Sequence, residues 1–304
     1  MSVMSNIKIT INEFKQHLDQ QDLSKNTIRN YIADIKNFAS WYEEHHAEEI
    51  EVQKITSYHL NFFRDQMIGA RRLKVSSVNR KTQSLRRFFR FLAEKKTIKI
   101  NIADSIKFIR RTKSTKPNAL SKNEVHALLS VAGNSSHGLS SRNYAVIQLI
   151  LQTGLRISEL INLQWRDLLL YERSGSVRVV DGKGHRERVI PLNSSARKAV
   201  SSYIENKEYD STTPVFLSKH GKIHTPRALQ KVVSNLATKA NINRIRVTPH
   251  VLRHTFATNY LRANPGCLIE LATLLGHESL DTTAIYTKAS TEHLQETLEK
   301  SLVY

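Results

Sequence analysis

The sequence predicts a mainly α-helical fold in two domains, an all-α N-terminal domain and an α-rich C-terminal domain that carries a small β-sheet or hairpin. Three observations lead there. Apolar residues recur at three-four spacing through most of the 304 residues. The one strong period-two pattern is a pair of short β-rich runs around Gly182-Lys183-Gly184. A basic stretch poor in apolar residues, "RRTKSTKPNAL", divides two segments of different character.

In chain order, weak helical patterns near residues 10–20 and 56–69 flank a strong one from Ser24. There Ile28, Tyr31, Ile32, Ile35, Phe38, Ala39 and Tyr42 fall on one face, with Ser24 as N-cap. A second long helix covers "SSVNRKTQSLRRFFRFLAEKK". Val78, Leu85, Phe88, Phe89 and Leu92 turn inward, and Arg80, Lys81, Arg86, Arg87 and Arg90 take the other faces. These helices make a domain over 1–109, followed by an interdomain linker over 110–120 that includes Arg110 and Arg111. The second domain, 121–304, opens with helices at 121–132 and 141–152. Gly154 stops the second, and a further helix runs through Leu163. The runs in "VRVVDGKGHRERVIPL" form a hairpin, and the remainder from Ser194 is mostly helical.

A formal net charge of +19 favours a polyanionic partner, nucleic acid first. Sixteen Lys or Arg against two acids, Glu94 and Asp104, lie between Arg71 and Lys116, which marks a phosphate-tracking surface. No membrane partner is expected, since the apolar run "AVIQLILQ" is far shorter than the roughly 20 residues that span a bilayer, and it reads as a core helix. The N-terminal residues show no secretory signal pattern, and the lone Cys267 fits a reducing compartment. A cytoplasmic location is therefore expected.

Arg156 stands at the junction after Gly154, where a guanidinium fork can face a cleft, although most arginines in such places are structural. In "TPHVLRHTFATNYL", Thr248 caps and Pro249 begins a helix that presents His250 and Arg253 in its first turn, where the dipole favours an anion. His250 and His254 are four apart, but Val251 replaces the Glu that a zinc-protease pattern requires, and the positive Arg253 lies between them. No metal is expected. Lys183 occupies the hairpin tip, where a lysine is usually solvated, and His277 in "LLGHES" could equally cap a helix C-terminus. Tyr286 stands among small polar residues where no core asks for it. Two arginines, a lysine, two histidines and a tyrosine make a site for a phosphodiester. The guanidinium forks neutralise the non-bridging oxygens without a metal or other cofactor, and the tyrosine is the nucleophile.

These residues resemble the tyrosine recombinases of the phage-integrase superfamily, in size and layout the bacterial Xer-type recombinases and transposon cointegrate resolvases. "TGLRISELINLQWRDL" matches the box of the family's first arginine at Arg156, and "GKGHRERVIPL" the hairpin lysine at Lys183. "HVLRH" matches the His-x-x-Arg box at His250 and Arg253, and Leu-Gly-His followed nine residues later by tyrosine gives His277 and Tyr286. The resemblance covers about residues 10–300. It implies cleavage and rejoining of DNA through a 3′-phosphotyrosyl intermediate, with Tyr286 as nucleophile, Lys183 protonating the leaving oxygen, Arg156 and Arg253 holding the phosphate, His250 as acid or base and His277 as a hydrogen-bond donor. It also implies a clamp on double-stranded DNA with paired inverted-repeat core sites, with Arg80, Lys81, Arg86, Arg87, Arg90, Arg110 and Arg111 on the duplex. Further implications are a tetramer of this chain or of it with a related recombinase, and work at the bacterial nucleoid. A type IB topoisomerase uses the same chemistry in a monomer, and a non-catalytic DNA-binding accessory protein would keep the fold alone.

Overall fold

The computed structural model describes residues 7–110, 119–134, 139–180, 187–205, 207, 210–218, 220–221 and 224–276. The chain divides into two compact units, Met1–Thr115 and Lys116–Tyr304.

The first unit is all helix: α1 (Ile7–Asp19), α2 (Lys25–His46), α3 (Ser57–Ile68), α4 (Val75–Glu94) and a 3-10 turn at Ile102–Ser105. Ser24 caps α2 by accepting from the Thr27 N–H at 3.1 Å, as expected from its position before the apolar stripe. The inward faces meet in an aromatic core. Phe14 packs edge-on against Phe88, and Phe38 against Phe63, with ring centroids 5.2 and 5.3 Å apart. Val78, Leu85, Phe88, Phe89 and Leu92 are all buried, so the apolar stripe of α4 faces this core and its cations are left to the other faces.

The second unit is built around α6 (Ser140–Thr153), whose Ala145 to Leu151 are all buried. The run "AVIQLILQ" is thus a core helix, packed by α5 (Lys122–Gly133), α8 (Ser194–Ile204) and α10 (Pro249–Ala263). Each large side chain of this kind, fully buried, contributes about 1.5–3 kcal/mol. A reciprocal capping box, Ser121 with Glu124, starts α5. Arg244 joins that start to a distant loop by pairing with Glu124 at 2.8 Å and donating to the Ala119 carbonyl. The short α7 (Ile157–Asn162) follows the Gly154 stop.

The hairpin is part of a three-stranded antiparallel sheet in the order β1-β2-β3: Leu168–Leu170, Gly175–Val180 and Glu187–Pro191. Its register pairs Val177 with Ile190 and Val179 with Arg188. The alternation of a half-buried strand therefore puts Arg188 on the same inward face as Ile190. Helices α9 (Pro226–Lys239) and α11 (Leu268–Leu275) are the other helices among the described residues of this unit.

Candidate active site: arginines at a helix end

The site is organised by two glycines that end helices. Gly154 closes α6 and Gly276 closes α11, both in left-handed conformations, φ 67° and 61°, which other residues adopt only with strain. Both are also needed for close approach. A Cβ on Gly154 would lie 2.5 Å from the Phe256 ring, and one on Gly276 would lie 2.8 Å from the Arg188 guanidinium. These positions fix the last carbonyls of α11, groups that the helix itself cannot satisfy and that carry its negative dipole end.

Three arginines from three parts of the chain satisfy them. Arg188 Nε donates to the Leu274 carbonyl at 2.9 Å, Arg253 Nη2 to Leu275 at 2.8 Å, and Arg156 Nη2 to Gly276 at 3.0 Å. Arg253 also donates from Nη1 to the Gly154 carbonyl at 2.6 Å, so one side chain joins the ends of both helices. It is 4% exposed, held beneath the surface by α10, whose start is set by the Thr248 cap and Pro249. Arg156 lies at the cap position of α7 with its side chain 37% exposed.

One buried carboxylate balances this group. Glu159 accepts from Arg156 Nη1 at 2.8 Å and from the Arg156 backbone N–H at 2.8 Å. It also accepts a two-pronged contact from Arg188, at 3.0 and 2.8 Å. Burial alone would raise its carboxyl, but the bonds from Arg188 and Arg156 outweigh it and hold the group below the usual carboxylate range. It stays charged.

Of the residues expected at the site, Arg156 and Arg253 are thus brought together on consecutive carbonyls across 120 and 22 residues of chain. His250 is exposed in the first turn of α10, one turn ahead of Arg253. His254 is half-buried, and burial with the neighbouring His250 lowers its imidazole below the usual value. No group of three or more potential metal ligands is gathered among the described residues. Lys183, His277 and Tyr286 lie outside the described residues, as does Arg111.

The cations of the first unit are arranged differently. Arg80 and Lys81 both pair with Asp34, which is 3% exposed and also accepts from the Ser84 hydroxyl at 2.7 Å. Arg86 donates to the Ala103 and Asp104 carbonyls and lies over the Phe108 ring. Arg87 donates to Gln21 and lies over Tyr31. Arg90 and Arg110 are exposed, Arg90 within 4.0 Å of Asp104.

Glu159 and Arg188 are absent from the sequence expectations, although each left a signal. Glu159 stands three residues after the helix cap, where a glutamate can reach back to the cap N–H. Arg188 is a charge at an inward position of an alternating strand.

Comparison with known proteins finds matches in both parts of the chain. Residues 118–293 match the phage integrase family, and residues 11–96 match the phage integrase N-terminal SAM-like domain. Tyrosine recombinase XerC of Syntrophus aciditrophicus is 30% identical over 96% of both chains. Tyrosine recombinase XerD of Halalkalibacterium halodurans is 34% identical over 91% of both. Among solved structures, the Tn1549 transposon integrase in complex with transposon right end DNA has the same fold at a TM-score of 0.77 and 20% identity, covering 98% of this chain and 99% of that one. XerH recombinase bound to palindromic difH substrate has a TM-score of 0.75 at 18% identity, covering 98% of each.

Proposed function

The chain belongs to the phage integrase family, and from that premise we propose that it is a site-specific DNA recombinase whose chemistry is centred on Arg156 and Arg253. The observation that carries this reading is the convergence of these two arginines, one buried and one half-exposed, on the adjoining carbonyls of Leu275 and Gly276. The chain leaves that point one residue before His277 and ten before Tyr286.

Tyr286 attacks the scissile phosphorus, forming a 3′-phosphotyrosyl bond and expelling the 5′ oxygen, which Lys183 protonates. His250 serves as acid or base at the tyrosine, His277 donates to the phosphate, and the two arginines offset charge that grows on the non-bridging oxygens. A 5′-hydroxyl from a second duplex reverses the reaction and completes strand exchange. The bond energy stays in the phosphotyrosyl ester, so rejoining needs no nucleotide.

The α2 and α4 helices lie along the duplex, with Arg80, Lys81, Arg86, Arg87, Arg90, Arg110 and Arg111 reaching its backbone, and the two domains, divided by a linker over 110–120, close on it as a clamp. Four protomers, of this chain or of this chain and a related recombinase, join two inverted-repeat sites. No helix among the described residues is long and apolar enough to cross a membrane, and we place the enzyme in the bacterial cytoplasm, at the nucleoid.

The test uses a nicked duplex bearing a sequence that the full chain selects from a random pool. The wild-type protein forms an adduct that survives SDS, while Tyr286→Phe binds equally and forms none. An adduct with the mutant would remove Tyr286 from its role. Relaxation of supercoiled plasmid without strand exchange between two sites would make the enzyme a topoisomerase instead.

A further inference from the structure

Each oxygen of Glu159 is shared between two arginines. Oε1 accepts from Arg156 Nη1 and Arg188 Nη1, and Oε2 from the Arg156 backbone N–H and Arg188 Nη2. The carboxylate is therefore filled on both oxygens, and the Arg156 side chain has only one donor on it. Arg188 is itself fixed by its Nε on the Leu274 carbonyl, by the close face of Gly276 and by its inward place on β3. Its side chain is 13% exposed, compared with 37% for Arg156.

Arginine and carboxylate prefer the two-pronged geometry, in which two parallel N–H donors meet two oxygens. If Arg188 were absent, Oε2 would keep only the Arg156 backbone N–H, and the obvious second partner is Arg156 Nη2, which now donates to the Gly276 carbonyl. A two-pronged Arg156–Glu159 pair would turn the fork toward the protein and away from a ligand. We propose that Arg188 is a positioning residue for strand cleavage: it occupies Glu159 so that Arg156 stays on one oxygen and on the Gly276 carbonyl, with its remaining N–H donors kept for the scissile phosphate. The same side chain ties β3 to the end of α11, so that strand, the Arg156 junction and the last carbonyls of α11 share one anchor. This inference rests on Arg156 being a phosphate-binding arginine.

The test compares two nicked duplexes of the selected sequence, one with an ordinary scissile phosphate and one with a methylphosphonate there. The methylphosphonate lacks one non-bridging negative charge and so depends less on a guanidinium. Arg188→Met, Arg188→Lys and Arg156→Ala are assayed for adduct formation at saturating protein, with thermal midpoints and affinities measured alongside. By analogy with partners that orient the ligands of a reacting centre, Arg188→Met should slow cleavage of the phosphate roughly 10–100-fold. The deficit should largely vanish on the methylphosphonate, with affinity unchanged. Arg188→Lys, which keeps the charge but cannot hold both oxygens, should fall between, and it carries the test if the Met variant does not fold. An equal deficit on both substrates would make Arg188 a merely structural residue, and no deficit on either would also overturn the proposal. If Arg156→Ala is equally impaired on both substrates, the reading of Arg156 fails, whatever Arg188 does.

Discussion

Arginine is used in two ways in this chain, and the two units separate them. Along α4, Arg80, Arg86, Arg87 and Arg90 are spread over a helix surface, and each is steadied by neighbours of its own: Asp34, carbonyls of the 3-10 turn, Gln21 and Asp104. At the end of α11, Arg156, Arg188 and Arg253 come from separate elements and converge on three successive carbonyls and one carboxylate. Spread charge neutralises a polyanion by releasing its counterions, and no single member needs an accurate position. Converged charge can stabilise one developing oxyanion, but only if the position is held and water is partly excluded. The comparison teaches that net charge bears on affinity, while reactivity depends on where a few cations are anchored.

The largest effect should come from the converged group. Arg253→Ala is expected to slow adduct formation by roughly 100–1,000-fold, the usual loss for one oxyanion donor. It also strands the buried carbonyls of Gly154 and Leu275, so the second unit should lose stability as well. Single-turnover cleavage beside a gel shift at low salt measures it. Cleavage within a few-fold of wild type would erase the distinction between the two regions.

Asp34→Ala asks whether the first unit hides a converged site of its own. The acid is buried and accepts from Arg80, Lys81 and Ser84, so its removal should lower unfolding stability by about 2–3 kcal/mol, the scale of charge-assisted hydrogen bonds. The urea midpoint of the full chain reads this. A large loss of cleavage at saturating protein with no change in the midpoint would mean that α4 carries more than affinity.

Arg87→Ala sharpens the contrast from the other side. Affinity should fall for all sequences alike, and the slope of log affinity against log salt should become shallower by about 1, with cleavage at saturation unchanged. An unaltered slope would show that the contacts with Gln21 and Tyr31 already use its charge.

The smallest expected effect lies at the entry to α6. His224 is buried against Arg142, and burial first, then that guanidinium, lowers its imidazole below the usual value of about 6.5. The unfolded chain binds this proton more readily than the folded one. The contribution is therefore present above the unfolded value and is lost as pH falls through it toward the folded one. His59 and His254 shift in the same direction, so the wild-type midpoint should decline below about pH 6.5. His224→Asn should show a shallower decline, and an unchanged pH profile would discount the pair.

Much of this architecture was legible beforehand because it depends on local order. The three-four spacing of "SKNTIRNYIADIKNFASWYEEHH" places α2 and its buried face, Gly154 ends α6, and Thr248-Pro249 starts α10. Arg156 and Arg253 could be picked out because each stands at a helix boundary within a recognisable local pattern. Strand β1, Leu168–Leu170, could not, since a three-residue run has too little pattern to set it apart from the end of a loop. Glu159 and Arg188 stand at helix and strand positions that no local pattern marks out as a site. Their meaning lies in contacts across 29 and 86 positions that no spacing rule connects.

By itself the sequence determined the helices and their buried faces, and it supplied the charge and the residue types from which a phosphodiester site is proposed, since periodicity, capping and charge count act over a few residues. Only the tertiary structure decided that three arginines share the end of one helix and that a single buried carboxylate divides itself between two of them. A helix end leaves its last carbonyls unsatisfied in every sequence. Which side chains satisfy them depends on what the packed core carries to that point.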